Sequence, residues 1–102
     1  MSILYISEFS RAMFDNLGEP VMAPDWDSLV AEQNVPITIA SVQSAPLNSA
    51  TKFVLCSNDA VCSYAYGANP TAVATAHRVP ANADRFYGVT GGTNRIAVIA
   101  NT

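Results

Sequence analysis

The sequence predicts an all-β protein: a compact antiparallel β-sandwich, jelly-roll-like, with an extended N-terminal arm. Short runs of β-branched and aromatic residues recur about every 8–12 residues, which is the strand spacing of sandwiches and barrels. Glycine, proline and asparagine separate these runs, as they do at turns. A chain of 102 residues has room for one modest hydrophobic core, so we expect no second globular domain.

Charge divides the chain into two segments. Residues 1–32 hold six acids and one base, a balance of −5, whereas residues 33–102 hold two acids and four bases, a balance of +2. Prolines and a lone tryptophan mark the acidic segment, and the strand-like runs begin at Leu29. We therefore expect an N-terminal arm over residues 1–28 and a β-sandwich domain over residues 29–102.

The arm is predicted to begin with a helical turn and to continue as an extended segment. Ser7 is suited to cap the turn, and Phe9, Ala12 and Met13 would share one of its faces. Prolines keep residues 19–27 extended. So short a segment does not bury its own aromatic rings, and it docks either on its own domain or on a neighbouring subunit. The candidate partner-binding residues are the arm's aromatic and acidic side chains Phe9, Phe14, Trp26, Asp25 and Asp27.

The body is predicted to contain seven strands. An Asn-Asp turn at residues 58–59 predicts a β-hairpin between the third and fourth of them. Pro36 lacks an amide hydrogen and separates the first two. The last run is almost continuously apolar, which predicts a central strand covered on both faces. The seven predicted strands are 29–35, 37–43, 51–57, 61–67, 75–79, 84–89 and 95–100.

Two cysteines flank the predicted hairpin turn. Cys56 and Cys62 would stand opposite each other there, close enough for a disulfide in an oxidising medium. The N-terminus lacks a positively charged stretch and a cleavage site, so we expect assembly in a reducing cytosol and two reduced thiols in the core.

The chain is short of groups for catalysis. His77 is the only histidine, and although a Ser/His or Cys/His pair is arithmetically possible, no nucleophile-elbow motif accompanies it. The two cysteines and one histidine show neither CxxC nor HxxxH spacing, which disfavours a zinc site. We expect no enzymatic activity, no cofactor and no metal.

The low charge excludes several classes of protein. Only 13% of residues are charged and Lys52 is the single lysine, which is too few cations for nucleic-acid binding through phosphates. Charges and prolines interrupt every apolar stretch well before the roughly 18 residues that a membrane span needs. A chain with 50% hydrophobic residues is too apolar for disorder. So weakly charged a surface predicts coverage by other subunits.

Several segments resemble small structural proteins of tailed bacteriophages, and the resemblance covers most of the chain. It is carried by turn glycines, prolines and strand aliphatics rather than by a catalytic signature. The segments are CSYAYGANPTA at 62–72, RVPAN at 78–82, FYGV at 86–89 and RIAVI at 95–99, with ISEF at 6–9, GEP at 18–20 and AP at 23–24 in the N-terminal stretch.

This resemblance implies a capsid decoration (cement) protein. Such a protein is non-enzymatic, is assembled in the host cytoplasm, and lies on the outer capsid surface of the virion, where it bridges neighbouring major capsid protein subunits as a homo-oligomer, a dimer or a trimer. Two alternatives stay open. One is a head–tail or tail component, which copy number per particle distinguishes. The other is a carbohydrate-binding β-sandwich for host attachment, with an exposed platform built from Trp26, Tyr64 or Tyr66.

Overall fold

Two antiparallel sheets packed face to face form the body of the protein, which confirms the predicted all-β sandwich. The computed structural model describes residues 2–14, 20–24 and 26–101. No helix in these ranges is long and apolar enough to cross a membrane. The strands are β1 (Ile3–Phe9), β2 (Ala12–Phe14), β3 (Pro20–Pro24), β4 (Leu29–Pro36), β5 (Val42–Gln43), β6 (Phe53–Asn58), β7 (Cys62–Gly67), β8 (Ala83–Gly88) and β9 (Arg95–Ala100), with a 3₁₀-helical turn at Trp26–Ser28.

The sheets have four strands in the order β4-β1-β6-β8 and three in the order β5-β9-β7. Alternate residues of each strand point into the space between the sheets, because successive side chains of a strand face opposite ways. Each aliphatic side chain buried there contributes about 1.5–3 kcal/mol. The buried core comprises Leu4, Ile6, Val35, Ile37, Leu47, Val54, Cys56, Cys62, Val79, Ile96 and Val98.

The prediction that residues 1–28 form an arm outside the domain is wrong for residues 3–9. These residues form β1, an inner strand of the larger sheet that pairs with β4 on one side and β6 on the other. Leu4 and Ile6 are almost completely buried. The predicted helical turn is wrong for the same reason, since two ladders of backbone hydrogen bonds outweigh a weak local capping preference.

The part of the predicted arm that does leave the sandwich is a two-stranded ribbon. In this ribbon β2 pairs antiparallel with β3, Ala12 opposite Pro24 and Phe14 opposite Pro20. Neither strand joins one of the two larger sheets. The extended conformation predicted around the prolines of β3 is confirmed.

The predicted hairpin of β6 and β7 is wrong. β6 pairs with β1 and β8, whereas β7 pairs with β9 in the opposite sheet, so the chain crosses the sandwich between them. Asn58 holds this crossover, because its buried amide donates hydrogen bonds to the carbonyls of Ala60 (2.7 Å) and Pro80 (2.8 Å) and accepts one from the Tyr64 hydroxyl (2.9 Å). Because the Asn58 side chain bonds to residues beyond the turn at 58–59, it stabilises the crossover and not a hairpin between β6 and β7.

Three further predicted strands have different outcomes: one is confirmed, one is shorter than predicted and one is wrong. β9 is the central strand of its sheet and carries three consecutive buried residues, Ile96, Ala97 and Val98, so both of its faces are covered as predicted. The strand predicted over residues 37–43 is reduced to β5. That predicted over 75–79 is wrong, since only Val79 makes an isolated bridge, to Cys62.

Candidate functional site

Of the five predicted partner-binding residues, Phe9 and Asp27 are the two whose side chains the structure describes. Phe9 lies at the end of β1, where it is completely buried, so the prediction that its ring anchors a partner is corrected: it packs within its own chain. Phe14 lies on β2, and Trp26 lies in the 3₁₀-helical turn that follows β3. Asp27 is exposed in that turn, while Asp25 lies outside the described residues.

Phe9 belongs to an aromatic row on the outer face of the four-stranded sheet. Its ring centroid is 6.2 Å from that of Phe53, which in turn stacks on Phe86 at 5.8 Å. Such pairs contribute about 0.5–1.5 kcal/mol each beyond the area they bury. The row therefore joins β1, β6 and β8 and stabilises the sheet itself.

Glu8 is the residue whose role is least visible in the sequence. It is 2% exposed, and its Oε1 accepts hydrogen bonds from the Asn48 amide (2.7 Å) and the Thr51 hydroxyl (2.8 Å). Its Oε2 accepts one from the Gln33 side-chain amide (3.1 Å). One carboxylate thus fixes the loop before β6 to both β1 and β4. In the sequence, Leu4, Ile6 and Glu8 follow one another at intervals of two residues. This alternation is the signal that could have placed Glu8 on the inner face of the four-stranded sheet.

Both cysteines are free, buried and on opposite sheets. Burial raises the pKa of the Cys56 thiol from 9.0 to about 12, and burial also raises the pKa of Cys62. Because the thiolate is the reactive form, thiols held protonated in this way are poor nucleophiles and poor metal ligands at neutral pH. The cysteines serve as core side chains.

This burial makes stability depend on pH in the alkaline range. The unfolded chain releases the Cys56 proton near pH 9, whereas the folded chain keeps it until about pH 12. The unfolded state then binds fewer protons, so the free energy of unfolding is expected to fall as pH rises through this window, by up to about 4 kcal/mol from Cys56. Below pH 9 this contribution is fully present.

Urea unfolding of the native protein and of Cys56→Val, measured from about pH 8 to about pH 11, tests this expectation. Valine fills a similar volume without a titrating group, so the variant should lose less stability on the alkaline side. Parallel pH profiles for the two proteins would contradict the assignment.

The tyrosines predicted as a carbohydrate platform serve the fold. Tyr64 packs against the core, edge-on to Tyr87 at 6.2 Å, and burial raises its pKa. The Tyr66 hydroxyl bonds both backbone groups of Thr90 (2.8 and 3.0 Å) and the side-chain amide of Asn94 (2.9 Å). Tyr64 is therefore held in the fold, whereas the ring of Tyr66 is 48% exposed although its hydroxyl is bonded.

An open cleft of 240 Å³ lies beside Tyr5 at the end of the four-stranded sheet. Its two carboxylates also tie the chain together: Asp59 Oδ1 accepts a hydrogen bond from the Ile3 amide (2.7 Å), and Asp84 Oδ1 accepts one from the Ser57 hydroxyl (2.5 Å). Throughout the described ranges, no group of three or more His, Cys, Asp or Glu side chains is placed to hold a metal ion.

The ribbon of β2 and β3 leaves the sandwich at a defined point. The Ser10 amide donates to the Ser28 carbonyl (2.9 Å), and the Ser28 hydroxyl donates to the Arg11 carbonyl (3.0 Å). Ser28 is 6% exposed, so these bonds form a clamp at the base of the ribbon. Beyond the clamp, β2 and β3 pair with each other alone among the described strands. Comparison with models of protein families, with curated proteins and with solved structures finds no match for this chain.

Proposed function

We propose that this protein is a non-enzymatic virion structural protein that decorates and cements a capsid shell. It bridges neighbouring major capsid protein subunits from the outer surface. The observation that carries the proposal is the two-stranded ribbon of β2 and β3, whose strands pair with each other and with no other described strand. The resemblance of the sequence to small structural proteins of tailed bacteriophages supports a shell as the partner.

An isolated ribbon of two strands is marginally stable in water, because it has little apolar surface to bury on its own. Among the strands that the structure describes, none pairs with its two outer edges. Both properties favour docking, since a neighbouring sheet edge can add to the ribbon through main-chain hydrogen bonds. The clamp at Ser28 holds the base of the ribbon to the sandwich, so a partner that binds the ribbon is thereby attached to the whole domain.

Charge supports a basic partner surface. Residues 12–27 contain four acids and no base. A negative segment is steered toward a positive surface, and mismatched charges suppress other partners. A shell presents the same surface many times, so modest contacts at each copy add up to firm attachment through multivalency. A head–tail or tail component would use the same ribbon in a small ring, and the copy number per particle separates the two roles.

Removal of the ribbon is the direct test. Ala12 and Pro24 are register partners, so an Asn-Gly turn in place of residues 13–23 joins them without strain. We expect this variant to keep the circular dichroism spectrum and thermal transition of the sandwich. It should also lose co-sedimentation with shells assembled from the major capsid protein, with affinity reduced by at least about tenfold.

The matched control carries the same Asn-Gly pair inserted after Thr93, in an exposed turn far along the chain from the ribbon. It should bind shells like the native protein. A folded ribbonless variant that still sediments with the shells at native affinity would overturn the proposal.

A further inference from the structure

One loop of the protein lies across a sheet without pairing with it. Residues 68–78, which we call the strap, contain no strand and lie between β7 and β8. The strap leaves β7 after Gly67 and returns to the first residue of the same strand, because Val79 and Cys62 exchange two backbone hydrogen bonds (2.8 and 3.1 Å). Both of its ends are therefore fixed to β7.

The strap crosses the outer face of the three-stranded sheet. Near its beginning, the Gln43 side chain on β5 donates hydrogen bonds to the Asn69 side chain and to the Pro70 carbonyl, both at 2.8 Å. Near its end, the Ser63 hydroxyl on β7 donates to the Ala76 carbonyl (3.4 Å). Because β9 lies between β5 and β7, the strap passes over all three strands.

The sheet surface beneath the strap is small and uncharged. Ser63 and Ala97 alternate with core residues of β7 and β9, so their side chains face away from the core. Both are nevertheless 0% exposed, and Ala72 of the strap is 3% exposed. The strap therefore supplies the cover that keeps water from this outer face.

Side-chain hydrogen bonds, rather than strand pairing, hold the strap in place. In addition to the contacts of Gln43 and Ser63, the Ser41 hydroxyl accepts a hydrogen bond from the Ala72 amide (2.9 Å). Of the eleven strap residues, Pro70 and Ala72 are the two that are buried. A segment with few buried side chains and no place in a backbone ladder opens at a lower free energy than the sheets around it.

We infer that the strap opens as a unit while both sheets stay folded, and that this opening controls access to the outer face of the three-stranded sheet. Opening breaks the hydrogen bonds to Ser41, Gln43 and Ser63, but it leaves the ladders of β5, β7 and β9 intact. The surface that becomes accessible lies around Ser63 and Ala97, and it is hidden from a partner while the strap is closed. Neither the ribbon nor a capsid is required for this opening.

Native-state hydrogen exchange of the full chain, followed residue by residue by NMR, tests this device. The Ala72 amide reports the strap, and the amides of Ala97 and Val98 report the sheets, since β9 is paired on both sides. We expect the Ala72 amide to exchange at least about a hundredfold faster than the other two after correction for intrinsic rates. Its rate should also be insensitive to low concentrations of urea, because a local opening exposes little surface.

Three variants separate opening of the strap from unfolding of the domain. Gln43→Ala removes two hydrogen bonds that hold the strap and should raise the exchange rate of Ala72 at least about fivefold. Thr71→Ala is its matched control, since Thr71 is an exposed strap residue, and it should leave that rate unchanged. Glu8→Gln weakens hydrogen bonds that an open strap leaves intact, so it should speed exchange of the two β9 amides at least about fivefold and leave Ala72 at the native rate.

An Ala72 amide that exchanges with the rate and the urea dependence of the β9 amides would overturn the inference. Equal acceleration of strap and sheet amides in Glu8→Gln would overturn it too, because the strap would then open only when the domain unfolds. Equal strap rates in Gln43→Ala and Thr71→Ala would show that the bonds to Gln43 do not hold the strap closed.

Discussion

Deletion of residues 1–9 is expected to abolish folding, although a division of the chain by charge would make this segment dispensable. The deletion removes β1, which lies between β4 and β6, and with it the fully buried Leu4, Ile6 and Phe9. At about 1.5–3 kcal/mol each, these three side chains alone contribute roughly 5–9 kcal/mol. That is comparable to the whole stability of a small domain, which is about 5–15 kcal/mol.

Circular dichroism and urea titration of the truncated protein measure this effect. We expect no cooperative transition, in contrast to the ribbonless variant, which keeps β1. A synthetic peptide covering residues 2–11 should restore the cooperative transition when added, whereas the same peptide with Leu4→Asp and Ile6→Asp should not. A truncated protein that unfolds cooperatively near the native midpoint would show that β1 is not required.

Replacement of the buried carboxylate of Glu8 is expected to produce the second large effect. In Glu8→Ala the Asn48 amide and the Thr51 hydroxyl lose their acceptor, and the Gln33 side-chain amide loses one of its two acceptors. Buried donors without partners cost about 1–3 kcal/mol each, and some recover a partner by relaxation or through water. We therefore expect the free energy of unfolding to fall by about 3–5 kcal/mol.

Glu32→Ala is the control for Glu8→Ala, because Glu32 lies on the adjacent strand with its side chain exposed. Its effect should remain within about 0.5 kcal/mol. Glu8→Gln should fall between the two, since its amide oxygen can accept at Oε1 but its amino group then faces the donor of Gln33. Equal stability of Glu8→Ala and Glu32→Ala would show that the buried hydrogen bonds contribute nothing.

The strands that were predicted well are those whose signal is local. β4, β6, β7, β8 and β9 all lie within two residues of a predicted strand, because runs of β-branched and aromatic residues bounded by turn residues identify them. The reduced state of the two thiols was also predicted, from composition and context. These features depend on residues that are close together in the chain.

The misassigned elements depend on distant partners. Ser7 and the residues after it have a local preference for a capped turn, but β1 pairs with strands that begin 26 and 50 residues after its own first residue. The turn after Asn58 has the composition of a hairpin, yet the Asn58 amide bonds to the carbonyl of Pro80. Neither interaction produces a recognisable pattern among residues that are neighbours in the sequence.

The surface side chains show the same division between sequence and fold. The lack of charge in residues 33–51 and 60–76 is plain in the sequence, but only the fold leaves Ile39 and Val73 exposed within them. Phe9 shows the converse. An aromatic residue in so short a segment predicts a docking residue, but the fold buries it completely.

By itself, the sequence determined that this protein is all-β, weakly charged and short of catalytic groups, because composition and periodicity act along the chain. Only the tertiary structure decided that β1 is an inner strand, that β6 and β7 lie in different sheets, that Glu8 is a buried acceptor, and that the predicted arm reduces to a ribbon. Each of these depends on which distant strand supplies the hydrogen bonds and the covering side chains. The packing of the whole domain determines which strands pair, and the sequence of a single segment does not.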